Sequence, residues 1–301
     1  MEALINTIED LQKYIRVNKS IDFEMFSQFI IDAQDKYIRP YVGQELIDKL
    51  NVETADKLKT YLCRALAPFS MALATDEFSI NFGESGHTVT RSQTSAPASD
   101  SKIAKATESL FNRGWSNLDN ALRYLHSNKD LYPEWATAEL STGTKLFDNG
   151  AEFQEKGLVD INNSPLTFHH LRMLVKRIEM SETFKLLPEE MRASFDKTAS
   201  EEITSAMQAY TGSRVAALHT SQTTKTQRTT NAQSQLEFKP VIRPLYSDLE
   251  YTGNYFDEQA AYWRSTLDEA LVAAEKKEAD EGIVKYNSSE RRIFVATASR
   301  S

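Results

Sequence analysis

Two stretches of this chain, 145 residues apart, carry apolar side chains at the same helical spacing. Phe23, Phe26, Phe29, Ile30 and Ala33 line up with Phe168, Leu171, Leu174, Val175 and Ile178. A stripe of this kind commits one face of a helix to a core and leaves the other to solvent. The same signals follow each stripe in the same order. A corner comes first, where Val42, Glu45, Leu46 and Leu50 match Leu187, Glu190, Met191 and Phe195. An apolar helix is next: from about Thr54, with Leu58, Tyr61, Leu62, Ala65 and Leu66, and then again as "SEEITSAMQAYTGSRVAAL". Ser/Thr-rich flaps follow, at "GHTVTRSQTSAPASD" and "HTSQTTKTQRTTNAQSQ". Each series closes on a helix with a Trp just before Leu-Asp-x-Ala-Leu, in "GWSNLDNAL" and "YWRSTLDEAL".

One pentapeptide match means little in a chain this long; five features in one order predict a tandem duplication. The expected fold is mainly α: two tandem helical repeats, each with a β-hairpin or flap, and a C-terminal extended arm. The boundaries are a first repeat over 1–127, a joint over 128–164, a second repeat over 165–281 and an arm over 282–301. The joint is placed by Pro133, Gly143, Gly150 and Gly157. Trp115 and Trp263, with Leu118, Leu122, Leu267 and Leu271, are expected as equivalent core anchors.

Local signals refine this picture. Thr7 with Asp10 three residues on resembles a capping box, and Asp22 is the expected N-cap of the first stripe helix. Pro40 should end or kink that helix, Gly43 supplies a corner, and Pro68 should kink the next helix. "FSINFGESGHTV" alternates as a hairpin does, and "LEFKPVIRPL" is strand-like.

Composition excludes several function classes. Only 10 Gly and 8 Pro in 301 residues oppose a turn-rich sandwich or barrel. The single Cys63 rules out an intrachain disulfide and a cysteine zinc site, and its apolar helical setting marks it as an inert core residue. No apolar run has the length of a membrane span, and the acidic "MEALINTIEDL" is not a leader, so no membrane partner is expected. A net charge of −8 opposes general adhesion to nucleic acid, which needs cations to displace counterions.

No catalytic motif stands out. His169 and His170 are adjacent, so on a helix they diverge and do not chelate one ion; an exposed pair at a helix start is expected. "GESGHTVT" and "STGTKL" lack the full spacing of a phosphate-cradling loop. The carboxylate pairs Glu189–Glu190 and Glu201–Glu202 fall at helix starts, where acids oppose the dipole. No enzymatic activity, metal or cofactor is expected.

The C-terminal segment differs from the rest. Residues 282–301 hold Lys285, Arg291, Arg292 and Arg300 against Glu290, a net of +3 that leaves −11 on the preceding 281 residues. Two short β-type runs lie here, Ile283–Tyr286 and Ile293–Val295. They cannot bury themselves as one hairpin, so an arm added to a partner is expected. Its partner-binding residues are Ile283, Val284, Tyr286, Arg291, Arg292, Ile293, Phe294 and Val295.

Four phrases resemble structural proteins of tailed phages and prophages of Bacteroidetes, the crAss-like phages included. They are "FIIDAQDKYIRPYVGQELIDKL", "GHTVTRSQTSAPASD", "YLHSNKDLYPEWATAE" and "GAEFQEKGLVDINNSPLTFHHL", which together cover Phe29–Leu171. The first is also similar to head-to-tail connector (head-completion adaptor) proteins, small helical units with an Ala-Gln helix closed by a Gly corner. The second series departs from that pattern, with "KLLPEEM" where the first has "PYVGQEL".

The resemblance implies a structural virion protein and no catalytic residue. It implies a closed homo-oligomeric ring of about twelve copies between portal and tail, with closed cyclic symmetry. Its partners would be itself, the portal protein and neighbouring connector or tail proteins, with DNA only as passing cargo. The protein would be made in the host cytoplasm and reside at the head–tail junction of the virion. A tail-completion or tail-hub role is the alternative; an enzyme with a site assembled across the repeats is a more distant one.

Overall fold

The computed structural model describes residues 2–17, 21–52, 56–78, 81–83, 86–88, 99–136, 143–195, 200–226, 237–244 and 254–286. These residues are mainly helical. Helix α1 (Ile8–Gln12) starts on Thr7, whose side chain accepts the Asp10 amide. Helix α2 (Phe23–Ala33) starts on Asp22, which accepts the amides of Glu24 and Met25. Each cap satisfies amides that a bare helix start leaves open, worth about 1 kcal/mol. Phe26, Phe29, Ile30 and Ala33 are buried along the predicted stripe, whereas Phe23 is only half-buried.

Pro40 does not break the chain's helical course. A π-helical turn (Gln34–Ile38) leads from α2 into α3 (Arg39–Val42), with Pro40 in the first turn of α3. Proline has no amide to return to the preceding turn, and the wider π turn changes the bonding register just before it. Helix α3 stops at Gly43 with φ of 80°, where a side chain would be strained, and α4 (Gln44–Val52) leaves from that corner.

Helix α5 (Lys57–Phe78) contains Pro68. The proline deprives the Arg64 carbonyl of its helical donor, and Asn117 Nδ2 on α6 (Asp100–Ser127) donates to it at 3.0 Å. The two helices pack closely because α6 presents Gly114 there. A Cβ on that residue would lie 2.5 Å from the Phe69 ring. Tyr37, Phe69, Phe111 and Trp115 meet at this crossing, with ring centroids 4.6 to 6.0 Å apart. Between α5 and α6, β1 (Asn81–Gly83) pairs antiparallel with β2 (Gly86–Thr88), a hairpin within the first flap. A 3-10 turn (Lys129–Leu131) and α7 (Pro133–Ala136) bring Tyr132 and Trp135 back to this first core.

A second core forms from residues 146 onward. Its elements are α8 (Gly150–Gly157), β3 (Val159–Asp160), α9 (Pro165–Ser181), a 3-10 turn (Thr183–Leu186) and α10 (Glu189–Ala193). They are followed by α11 (Glu201–Thr226), β4 (Arg243–Pro244) and α12 (Tyr255–Tyr286). Asn149 caps α8 and Ser164 caps α9. Helices α11 and α12 pack on each other as α5 and α6 do.

Within the segment 128–164, expected as a joint, Tyr132 and Trp135 are buried in the first core, while Leu146, Phe147, Phe153, Val159 and Ile161 are buried in the second. Three expectations need correction. The start of the second flap is helical, because α11 continues to Thr226; residues 227–236 lie outside the described ones. The strand-like "LEFKPVIRPL" supplies only Arg243–Pro244, paired antiparallel with Val159–Asp160. Lastly, the two tryptophans are not equivalent. Trp115 is 8% exposed within its aromatic cluster, whereas Trp263 is half-buried beside Tyr262, with Nε1 unpaired. Leu118, Leu122, Leu267 and Leu271 are all buried.

The first β-type run of the expected arm is helical. Ile283, Val284 and Tyr286 belong to the backbone of α12, which passes through Gly282. An adjoining helix supplies backbone partners that an isolated strand of four residues does not have. Arg291, Arg292, Ile293, Phe294 and Val295 lie outside the described residues.

Candidate functional site

One backbone clamp occurs twice. Near the chain start, the Leu4 amide donates to Gln34 Oε1 at 2.9 Å, and the Cys63 thiol donates to the Leu4 carbonyl at 3.7 Å. In the second core, the Leu146 amide donates to Glu179 Oε1 at 3.1 Å, and Gln208 Nε2 donates to the Leu146 carbonyl at 2.7 Å. Gln34 and Glu179 are 145 residues apart, and so are Cys63 and Gln208. Both clamps hold a buried Leu that precedes a capped helix by the same distance, Thr7 in one case and Asn149 in the other.

A third pair keeps the same separation. Tyr37 stacks on Phe69 at 4.6 Å, while the residues 145 further on, Glu182 and Arg214, form an ion pair at 2.8 Å. Arg214 also reaches Asp257 at 3.2 Å. The Arg214 guanidinium holds the Glu182 carboxyl below its ordinary range. An aromatic cluster in one half is thus matched in the other by a charged one.

The two halves meet at the start of α9. Asp119, in the middle of α6, accepts the Ser164 hydroxyl at 2.6 Å and the Leu166 amide at 3.1 Å. Arg123, one turn on, binds Asp119 and donates to the Asn162 carbonyl at 2.7 Å. Asn162 and Asn163 both adopt positive φ, a conformation asparagine reaches at low cost, and turn the chain into the Ser164 cap. Tyr41 of α3 lies 2.9 Å from His170 Nε2, with the His169 ring edge-on at 5.2 Å. Phe238 closes the seam: it packs on Trp115 at 5.7 Å and on His170 at 4.8 Å. Beside the seam is a cleft of ≈ 600 Å³ lined by Glu108, Trp115, Asp119, Asp160, Lys239 and Arg243, among others.

Of the histidine pair, His170 is exposed as expected, but His169 is not. His169 is half-buried, and burial pushes its pKa down to about 4, with His170 and Arg172 adding to the effect. Burial also lowers His170, against a raising influence of Glu237. His126, edge-on to Trp135 at 4.9 Å, is pushed down to about 4 by burial and then by Lys129. Burial raises Tyr41 to about 12.

A pH dependence follows. A histidine whose folded pKa is depressed contributes stability that is present above its ordinary value of 6.5 and lost as pH falls through about 4. Denaturant midpoints should therefore drop across that window, and His169→Phe should drop less steeply. Equal slopes for the variant and the natural chain would refute a role for His169.

Cys63 is buried, and burial raises its thiol to about 12, which keeps it protonated as an inert donor. Among the described residues, no three His, Cys, Asp or Glu side chains are grouped to hold a metal ion. Among them too, no helix is long and apolar enough to cross a membrane. The sequence reading missed Asp119, Gln34, Glu179 and Gln208. Asp119 stands inside the quoted Leu-Asp-x-Ala-Leu, and Gln34 inside the Ala-Gln pair, but neither phrase reveals its partner.

Residues 8–145 match the model of a family of unknown function (DUF6712). No curated protein and no solved structure matches the chain.

Proposed function

We propose that this chain is a tandem duplication of one helical unit and serves as a structural head-to-tail connector protein of a tailed phage. The observation that carries the duplication is the repeated clamp. Leu4 with Gln34 and Cys63, and Leu146 with Glu179 and Gln208, use the same positions for the same backbone groups although two of the three side-chain types differ. Convergent packing of unrelated helices has no reason to preserve a separation of 145 residues at both the accepting and the donating side chain. On this reading the units begin near residues 2 and 144. The family match ends at residue 145, close to where the second unit starts.

The virion role rests on the phrases of Phe29–Leu171 that resemble connector proteins, and duplication suits it. A joint between two like units of one chain is head-to-tail, and head-to-tail contacts are what close a ring. Residues 282–301 carry +3 against −11 on the rest, so the end of the chain is drawn to an acidic body. The proposed ring has about twelve copies, lies between portal and tail and passes DNA without binding it tightly.

The test is a reconstruction of the virion. The protein is expected in a ring at the portal's tail side, with Arg291, Arg292, Ile293 and Phe294 docked on another chain. Density at a tail hub would favour the alternative role, and an arm folded on its own subunit would refute the docking.

A further inference from the structure

We propose that copies of this chain associate head to tail by repeating, between chains, the joint that holds the two halves of one chain together. This rests on the duplication proposed above and not on any place in a virion. The joint sets the start of α9 in the second unit against α6 and α3 of the first. Its contacts are Asp119 to the Leu166 amide, Arg123 to the Asn162 carbonyl and Tyr41 to His170. If the units are equivalent, each chain keeps one unused copy of either side.

The unused faces can be named by the repeat separations. The stripe helices and corners are 145 residues apart. The last helices are 149 apart, a register in which buried Phe111, Leu118 and Leu122 match buried Ala260, Leu267 and Leu271. His170 then corresponds to Met25 and Tyr41 to Leu186, while Asp119 corresponds to Asp268 and Arg123 to Val272.

The exposure of these residues fits two uncovered faces. Met25 is 52% exposed and Val272 50%, on helices that bury Phe26, Phe29 and Ile30 in one case and Leu267 and Leu271 in the other. Asp268 is exposed and Leu186 half-buried. The polar Tyr41–His170 contact becomes a Met25–Leu186 contact, and Arg123 becomes Val272, opposite Val17, the counterpart of Asn162. Asp268 keeps the place of Asp119, and Ile21, just before α2, keeps that of Leu166. A contact between two different faces propagates, so it gives closed rings or open filaments and not a symmetric dimer.

The experiment uses the full chain and two surface variants, Met25→Glu and Val272→Glu, with unchanged thermal melting as the check that each folds. Sedimentation at rising concentration should show natural chains growing beyond the dimer. Each variant alone should associate about tenfold more weakly or worse, as when a central apolar contact is replaced by a charge. An equal mixture of the two should stop at a heterodimer, since only one intact pair of faces remains. A natural chain that stays monomeric, or that forms only symmetric dimers, overturns the proposal. Rings that form equally well with either variant overturn the assignment of faces while leaving the connector reading intact.

Discussion

Gly212→Ala is expected to destabilise the chain by about 3 kcal/mol or more, the upper range for overpacking a core. Gly212 lies in α11 where that helix crosses the end of α8. A Cβ there would sit 2.1 Å from the Gly157 carbonyl oxygen and 2.6 Å from its Cα. Both obstacles are backbone, so no rotamer change relieves them; the helices must separate and lose the packing of Phe153 and Met207. The reverse substitution is a sharp control. A Cβ on Gly157 meets the Gly212 Cα at 3.4 Å, an ordinary contact, and alanine favours a helix over glycine by about 1 kcal/mol. Gly157→Ala should therefore be close to neutral in denaturant unfolding. Equal losses for the two variants would show that the crossing is looser than its geometry implies.

The second large effect concerns Glu179, which is 1% exposed. Its carboxylate accepts the Thr144 hydroxyl and the amides of Lys145 and Leu146. Burial raises its pKa, and those hydrogen bonds oppose the rise. Glu179→Ala removes the acceptor, leaving the buried Leu146 amide and the half-buried Thr144 hydroxyl without it, and opens a cavity in the core, so a loss of about 3 kcal/mol is expected. Glu179→Gln keeps one oxygen for Thr144 and Leu146 and should fall within about 1 kcal/mol of the natural chain. The sign of the pH effect is definite. A carboxyl with a raised folded pKa is most costly when ionised, so the Gln variant should gain on the natural chain as pH rises above 4.5. Denaturation curves at several pH values would show it, and a Gln variant as damaged as the Ala variant would mean that the charge itself is needed.

Gln34, 145 residues earlier, makes the uncharged version of this clamp on the Leu4 amide. Nothing in "AQDKY" announces that partner. A side chain that accepts an amide from a residue 30 positions earlier leaves no local pattern, because the chain between them is free to vary. Asp119 is similar: its Leu-Asp-x-Ala-Leu setting was visible, yet only folding brings the Ser164 cap against it. The tryptophans show the opposite error. Identical neighbours in sequence suggested identical burial, but the burial of Phe111, Leu118 and Leu122 recurs 149 residues on, at Ala260, Leu267 and Leu271, while the two Trp are 148 apart. One residue turns a helical side chain by about 100°, enough to move Trp263 off the position of Trp115.

What the sequence alone determined is therefore what depends on neighbours within a few turns: the apolar stripes, the caps at Thr7 and Asp22 and the corner at Gly43. These follow from backbone sterics and helical period, which act at short range. Tertiary structure decided the rest. It carried the helical chain past Pro40 and Pro68, supplying Asn117 for the Arg64 carbonyl that Pro68 leaves open. It also placed Gly114 and Gly212 where two helices nearly touch, and drew residues 146–161 into the second core. Each of these depends on a group far away in the chain, and only packing brings such groups within a few ångströms.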